Sequence, residues 1–181
     1  MNNPREIKVH DKDFELLLSE AEIAERIEQM ANQISVDYAN KELHIIGVLT
    51  GAFMFYAELV KRITINVRVS FIKTSSYQGL KSTGNVHFDL AFPAKLTGEH
   101  VLIVDDILDT GRSYKKIYNE IRVQNPASVK LATLLYKPSA NTTTYKPNYL
   151  GFEIEDKFVV GFGLDYNHLG RNYSSIYQLK K

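Results

Sequence analysis

The sequence predicts an α/β fold built on a central, mostly parallel sheet flanked by helices. Three observations carry this. Apolar β-forming runs alternate with stretches of helical periodicity, 44% of the residues are hydrophobic with aromatics spread from Phe14 to Tyr177, and no repeat, linker or low-complexity tract interrupts the pattern. A chain of 181 residues with that content can bury a core as one domain, 1–181.

Ser19 followed by Glu22 is a capping-box pattern, and Ile23, Ile27, Met30, Ala31 and Ile34 recur at helical spacing, which predicts a first helix over 20–39. Residues 44–49 read as a buried strand, Thr50-Gly51 as a tight turn, and 52–62 as a helix with Phe53, Ala57 and Val60 inward. The next strand covers 66–72. From 73 to 85 the composition turns to Ser, Thr, Gly, Lys and Gln with little to bury, which predicts an exposed, mobile loop of the kind that serves as a lid. An ordinary hairpin tip would look the same. Residues 86–90 pair back as a strand, 100–104 form a strong strand, 113–123 a helix, and 128–136 a strand that ends before Pro138. A further apolar run, Phe158-Val159-Val160, leads into Gly161-Phe162-Gly163-Leu164-Asp165-Tyr166.

Composition narrows the function. The 22 basic and 21 acidic side chains give a formal charge of +1, so no overall field draws in nucleic acid or an anionic membrane, and any anion site must be local. There is no cysteine, which removes disulfides and thiol nucleophiles and fits a reducing cytoplasm. The first residues are polar and charged, unlike a signal peptide, and no apolar run approaches the roughly 20 residues of a membrane span. The expectation is a soluble cytoplasmic protein. The five histidines, His10, His44, His87, His100 and His168, show no metal-ligand spacing.

The stretch Val101-Leu102-Ile103-Val104-Asp105-Asp106-Ile107-Leu108-Asp109-Thr110-Gly111-Arg112-Ser113 carries the chemistry. In open α/β sheets ligands gather beyond the carboxyl ends of strands, where Asp105 and Asp106 fall. Two adjacent acids can accept hydrogen bonds from neighbouring sugar hydroxyls or hold waters around a magnesium ion; a solvated turn capping the next helix is the bland alternative. In Asp109-Thr110-Gly111-Arg112-Ser113 the glycine lets backbone N–H groups converge, and the hydroxyls of Thr110 and Ser113 add donors at a helix start, as suits a phosphate monoester.

This stretch resembles the phosphoribosyl diphosphate (PRPP) signature of the type I phosphoribosyltransferases. Val48-Leu49-Thr50-Gly51-Ala52-Phe53-Met54, Ser75-Ser76-Tyr77, Leu134-Leu135-Tyr136-Lys137-Pro138-Ser139 and Phe158 through Tyr166 are similar, in order, to pieces of its hypoxanthine-guanine branch. The resemblance implies that family's fold, with a flexible loop at about 73–85 and a small hood at about 148–181. It implies a pentosyl-transferring enzyme of purine salvage that moves the phosphoribosyl group of PRPP to N9 of hypoxanthine or guanine, with Mg2+ as cofactor and a homodimer or homotetramer as the assembly.

Residue by residue, the resemblance places Asp105 and Asp106 at the ribose hydroxyls, Asp105 standing where many relatives have glutamate. Asp109 falls near purine N7 as general base, with helix capping as the alternative. Asp109, Thr110, Gly111, Arg112 and Ser113 surround the 5′-phosphate, Arg112 being more in keeping with a surface charge. Leu49, Thr50 and Gly51 form the pyrophosphate loop, in which relatives carry a cis peptide at the position of Leu49-Thr50, and Arg171 binds the same leaving group. Lys137, otherwise a solvated strand end, donates to purine O6. Phe158 stacks on the base and Val159 reads its edge, although composition alone would put both in the core. Asp165 also borders the base and ligates Mg2+ directly, Asp105 and Asp106 through water. Ser76 and Tyr77 belong to the closing loop.

Two other readings share these residues. One is a xanthine-preferring transferase. The other is a nucleotide-sensing regulator on the same fold that binds RNA or DNA, which Asp105-Asp106 and Gly111-Arg112-Ser113 also suit. Against it stand Asp109, where such regulators commonly carry an aromatic, the Lys137-Pro138 piece, and a Lys115-Lys116 pair too short for a nucleic-acid face.

Overall fold

The computed structural model describes residues 4–78, 81–88 and 95–180, with 74–78 and 81–88 described by backbone path alone. The elements run β1 (Glu6–Val9), β2 (Lys12–Leu18), α1 (Glu20–Asp37), β3 (Leu43–Leu49), α2 (Phe53–Arg62), β4 (Val67–Gln78), β5 (Lys81–Phe88), β6 (His100–Leu108), α3 (Arg112–Arg122), β7 (Ser128–Tyr136), β8 (Tyr149–Glu153), β9 (Val159–Val160) and β10 (Ile176–Leu179). The large sheet has the order β5-β4-β3-β6-β7-β8 and is parallel except for β5, which pairs antiparallel with β4. Residues 43–48 of β3 are buried throughout, as a strand covered on both faces must be.

Helices α1 and α2 cover one face of this sheet, where Ile23, Ile27, Ile34, Phe55 and Leu59 meet Ile45, Leu102 and Val104. Helix α3 covers the other with Tyr114, Ile117 and Ile121 against Ile46, Val101 and Ile103. The capping box at Ser19 and Glu22 forms and starts α1. In α2 the buried side chains are Phe55, Tyr56 and Leu59, and Phe53 and Ala57 are exposed, which corrects the expected inward face at those two positions, while Val60 is partly buried against the core as expected. Both stripes have helical spacing; the bulkier one buries more area and wins. Among the described residues no helix is long and apolar enough to cross a membrane.

A second, small sheet of order β1-β2-β10-β9 draws its strands from both ends of the chain. The hood expected over 148–181 therefore shares its sheet with residues 6–18, and β8, within that range, belongs to the large sheet instead. Its core is Val9, Phe14, Val160, Tyr166 and Tyr177. The stretch read as a loop over 73–85 follows an antiparallel β4–β5 pairing, Thr74↔Phe88 to Gln78↔Lys81. Of the strand expected over 86–90, residues 89 and 90 lie outside the described residues.

The large sheet changes phase at its carboxyl end. In β6, Leu102 and Val104 pack on the α1–α2 side and Val101 and Ile103 on the α3 side, so strict alternation would send Ile107 to the α3 side. Instead Ile107 packs with the former cluster and Leu108 with the latter. Strand β7 shifts at the same level, since both Leu134 and Leu135 join the α1–α2 cluster and Tyr136 the other. So does β8, where Leu150 packs on the α3 side and Phe152 on the α1–α2 side. The line of the shift runs through Asp106, Leu134 and Gly151. A Cβ at Gly151 would stand 2.2 Å from the Leu134 carbonyl oxygen, and the Arg26 guanidinium of α1 donates to the carbonyls of Leu150 and Gly151 just there. Gly151→Ala is therefore expected to lower stability by about 1–3 kcal/mol through backbone displacement, measured by denaturant unfolding. A cost within about 0.3 kcal/mol of zero would show that the line tolerates a side chain.

Candidate active site

Strand β6 pairs with β3 only as far as Gly47↔Val104, yet stays paired with β7 out to Leu108↔Tyr136. The strand expected to end at 104 thus continues through the acids, because its β7 partner is long enough to satisfy it. Asp105 and Asp106 are left without a β3 neighbour, and the turn after β3 folds over the gap. That turn contains the Leu49-Thr50 peptide in cis. A Cβ at Gly51 would lie 1.7 Å from Asp106 Oδ2, so the carboxylate already fills the space of a side chain there.

Each acid is held by the backbone that follows it: the Asp106 N–H donates to Asp105 Oδ1 at 3.0 Å, and the Ile107 N–H to Asp106 Oδ1 at 2.9 Å. Burial, then repulsion from Asp106, holds the Asp105 carboxyl well above the usual carboxylate range. Burial also raises Asp106, against the hydrogen bonds it accepts and the charge of Arg171. The pair therefore favours one negative charge over two.

Past Leu108 the chain turns through Asp109 and Thr110 into α3. The N-cap is Gly111, in the left-handed region at φ 77°, and no side chain caps the helix. This removes the capping alternative for Asp109 and leaves the first-turn amides around Arg112 and Ser113 open for an anion. Arg112 is exposed and Ser113 partly so. A strap from the β7–β8 connection fixes the turn: the N–H and hydroxyl of Thr142 donate to the Thr110 carbonyl at 3.2 and 3.1 Å. In the same trans peptide the Gly111 N–H points opposite to that carbonyl, away from Thr142. Asn141 Oδ1 accepts from the N–H and hydroxyl of Thr143 at 2.9 and 2.8 Å, keeping the strap in shape.

Lys137, the residue after β7, is buried at 6% exposure. Its Nζ lies 3.1 Å from Asp156 Oδ1 and 3.7 Å from Asp109 Oδ2. The solvated-end alternative for this lysine therefore fails. From the small sheet side, Gly163 packs on the turn after β3, since a Cβ there would lie 2.0 Å from the Gly51 carbonyl oxygen. Arg171 donates to the Gly163 carbonyl at 2.6 Å and pairs with Asp165 Oδ1 at 2.6 Å, while the His168 N–H donates to Asp165 Oδ2 at 2.7 Å.

The expected residues thus gather in two groups. Asp105, Asp106, Gly51, Asp165 and Arg171 line one side, and Asp109, Thr110, Gly111, Ser113 and Lys137 the other. Phe158 and Val159 stand in the hood: the Phe158 ring meets Tyr166 edge-on at 5.7 Å and 82°, and Val159 is buried opposite Gln178. Ser76 and Tyr77 lie on β4, and their side chains are outside the described residues. Sequence reasoning missed Asp156 and Thr142. Both sit in polar or charged runs, Glu155-Asp156-Lys157 and Asn141-Thr142-Thr143-Thr144, which have the look of solvated loop.

Comparisons with known proteins give the family of the chain. The family model described as phosphoribosyl transferase domain matches residues 15–167. A hypoxanthine-guanine phosphoribosyltransferase of Aquifex aeolicus is 35% identical over 96% of this chain and 98% of its own, and one of Lactococcus lactis is 40% identical over 94% and 93%. The crystal structure of a hypoxanthine phosphoribosyltransferase from Staphylococcus aureus superposes with a TM-score of 0.86 at 37% identity, covering 92% of this chain and 91% of that one. An α/β sheet that delivers paired acids and an open helix start to one strand end, matched over most of its length by these proteins, places the chain in the phosphoribosyltransferase family.

Proposed function

We propose that this protein transfers the 5-phosphoribosyl group of PRPP to N9 of hypoxanthine or guanine, releasing pyrophosphate and giving IMP or GMP. The observation that carries the choice of base is Lys137. An ammonium buried beside Asp109, at the strand end next to the uncapped start of α3, offers a fixed donor where the base would lie. A 6-oxo group accepts from it; the 6-amino group of adenine would set donor against donor in a buried site, which is heavily penalised. The hypoxanthine and guanine named for the similar proteins fit this donor.

In this reading the open amides of α3 and the hydroxyls of Thr110 and Ser113 hold the 5′-phosphate. Asp105 and Asp106 accept from the ribose hydroxyls. Asp109 takes the N7 proton as N9 bonds to the anomeric carbon, and returns it in the reverse reaction. Arg171 and the amides of Leu49, Thr50 and Gly51 hold the departing pyrophosphate, a task that suits a planar guanidinium. Phe158 stacks on the purine and backbone at Val159 reads its edge. The segment carrying Ser76 and Tyr77 closes over the reactants to keep water from a cation-like transition state.

Among the described residues no three acidic or histidine side chains already form a metal-holding group, so a magnesium ion would be held by one direct carboxylate, by water and by the diphosphate. Asp105 and Asp106 repel one another at partly buried positions, and Asp165 keeps acceptor capacity beyond the two bonds it makes, since a carboxylate offers about four lone-pair sites. Asp165 would ligate the ion directly, and Asp105 and Asp106 through water. Bound there, Mg2+ would offset charge on the diphosphate.

The direct test is PRPP-dependent nucleotide formation with hypoxanthine, guanine, xanthine, adenine and uracil in turn. IMP and GMP are expected, with no AMP, and no product from any 6-oxopurine defeats the reading. Asp109→Asn should lower kcat by roughly 10²–10⁴-fold while leaving the KM of PRPP nearly unchanged; undiminished turnover would remove it from proton transfer. The Asp105 carboxyl, raised in the fold, holds its proton to higher pH than in the unfolded chain, so the ligand-free fold loses stability as pH rises from about 4 through that raised value. Asp105→Asn has no such loss. Its thermal midpoint should match the parent's near pH 4 and exceed it at pH 7, by about 2–4 °C for each kcal/mol of relieved repulsion. Mg2+ with PRPP should then stabilise the parent more than the variant.

A further inference from the structure

Lys137 Nζ lies between two carboxylates that it does not treat alike. Asp156 Oδ1, at 3.1 Å, is a hydrogen-bond partner; Asp109 Oδ2, at 3.7 Å, is an ion pair too long to be one. Asp156 belongs to the connection from β8 to β9, on the hood side, and its side chain is 62% exposed while that of the lysine is 8% exposed. The outer, solvated anion thus holds the inner, buried cation. A buried ammonium needs a charge partner, and without Asp156 the remaining described carboxylate in reach is Asp109. A gap of 3.7 Å would then close toward the roughly 2.7–2.9 Å of a charge-assisted hydrogen bond.

We infer that Asp156 is a positioning residue for the base: it holds the Lys137 ammonium off Asp109, so that the lysine stays directed at the 6-oxo edge and Asp109 keeps a free oxygen for the N7 proton. This rests on the roles proposed above for Lys137 and Asp109. Collapse of Lys137 onto Asp109 would disable both groups together, since the base would have to break their contact before binding. PRPP would be spared, because its phosphate and ribose contacts lie at α3, β6 and the turn after β3, none of which Asp156 touches. The arrangement also ties base recognition to the hood, which carries Asp156 and Phe158 on the same short segment.

The test is steady-state kinetics of Asp156→Ala, Asp156→Asn and Asp156→Glu with hypoxanthine and PRPP, in the parent and in an Asp109→Asn background. Asp156→Ala should lower kcat/KM for hypoxanthine roughly tenfold with the KM of PRPP changed by about twofold at most. Asp156→Glu should recover most of the loss. In the Asp109→Asn background the same change should cost about twofold or less, since no second carboxylate remains for the lysine to close upon. If Asp156→Ala unfolds below the assay temperature, Asp156→Asn, equal in shape and without charge, carries the same comparison. Equal losses in both backgrounds, or an equal rise in the KM of PRPP, would make Asp156 a structural residue and overturn the inference. Parent-like kinetics of the variants in an enzyme that makes IMP overturns this inference alone; a parent that makes no nucleotide from any 6-oxopurine overturns the function instead.

Discussion

The site depends on the stagger between β3 and β6. Parallel strands of equal reach would pair to the end and bury Asp105 and Asp106 against a β3 backbone that offers them no cation. Here β3 turns away after Leu49, while β6 runs on to Leu108 under β7. The acids then face the turn holding Thr50 and Gly51, where Asp106 occupies the volume that any side chain at Gly51 would need. The phase change along Asp106, Leu134 and Gly151 belongs to the same device. Three strands shift their side chains by one position at one level, which carries Leu108 into the α3 cluster and swings the following turn toward the start of α3. Arg26, donating to two carbonyls at the β8 edge, secures the line from the opposite end of the sheet. Packing in α1 is thereby linked through three strands to the placement of the acids.

Part of this was legible in the residues. The capping box and the alternation of strand and helix each follow from local chemistry, and each stands as expected. What escaped reading was what depends on length and partner. The end of β6 could not be placed at Leu108 because acids look like a strand terminus until a long β7 is beside them. The face of α2 was misjudged because two apolar stripes compete on one short helix, and only the sheet beneath decides. The strands β1 and β2 join a sheet with β9 and β10 from the other end of the chain, a pairing that no local pattern announces. Thr142 acts through two hydrogen bonds to one carbonyl and Asp156 through one to Lys137, and contacts so few leave no periodic trace.

The electrostatics of the site follow from its balance rather than from its sum. Asp105, Asp106, Asp109, Asp156 and Asp165 cluster around a region that, in the proposed reaction, must admit a substrate bearing several phosphate charges. Such a cluster would repel that substrate if its acids stood alone. They do not. Arg171 takes up Asp165 and lowers the cost of charging Asp106, and Lys137 stands between Asp109 and Asp156. The remaining unpaired repulsion is concentrated on Asp105 and Asp106, which is where a divalent cation brought in with the diphosphate would do most to relieve it. The near-neutral charge of the whole chain is thus compatible with strong local fields, because each cation is committed to a particular acid. In the proposed reaction, Arg171 would draw in the anionic substrate together with uncharged donors, the open amides of α3 and of the turn after β3. These gain from a low-dielectric site and carry no counter-charge that must first be displaced. In the proposed reaction an amide cradle for phosphate and paired acids for hydroxyls and metal would be complementary: the first would bind an anion without a side-chain charge, and the second, with carboxyls raised by burial, would become easier to charge as a cation enters.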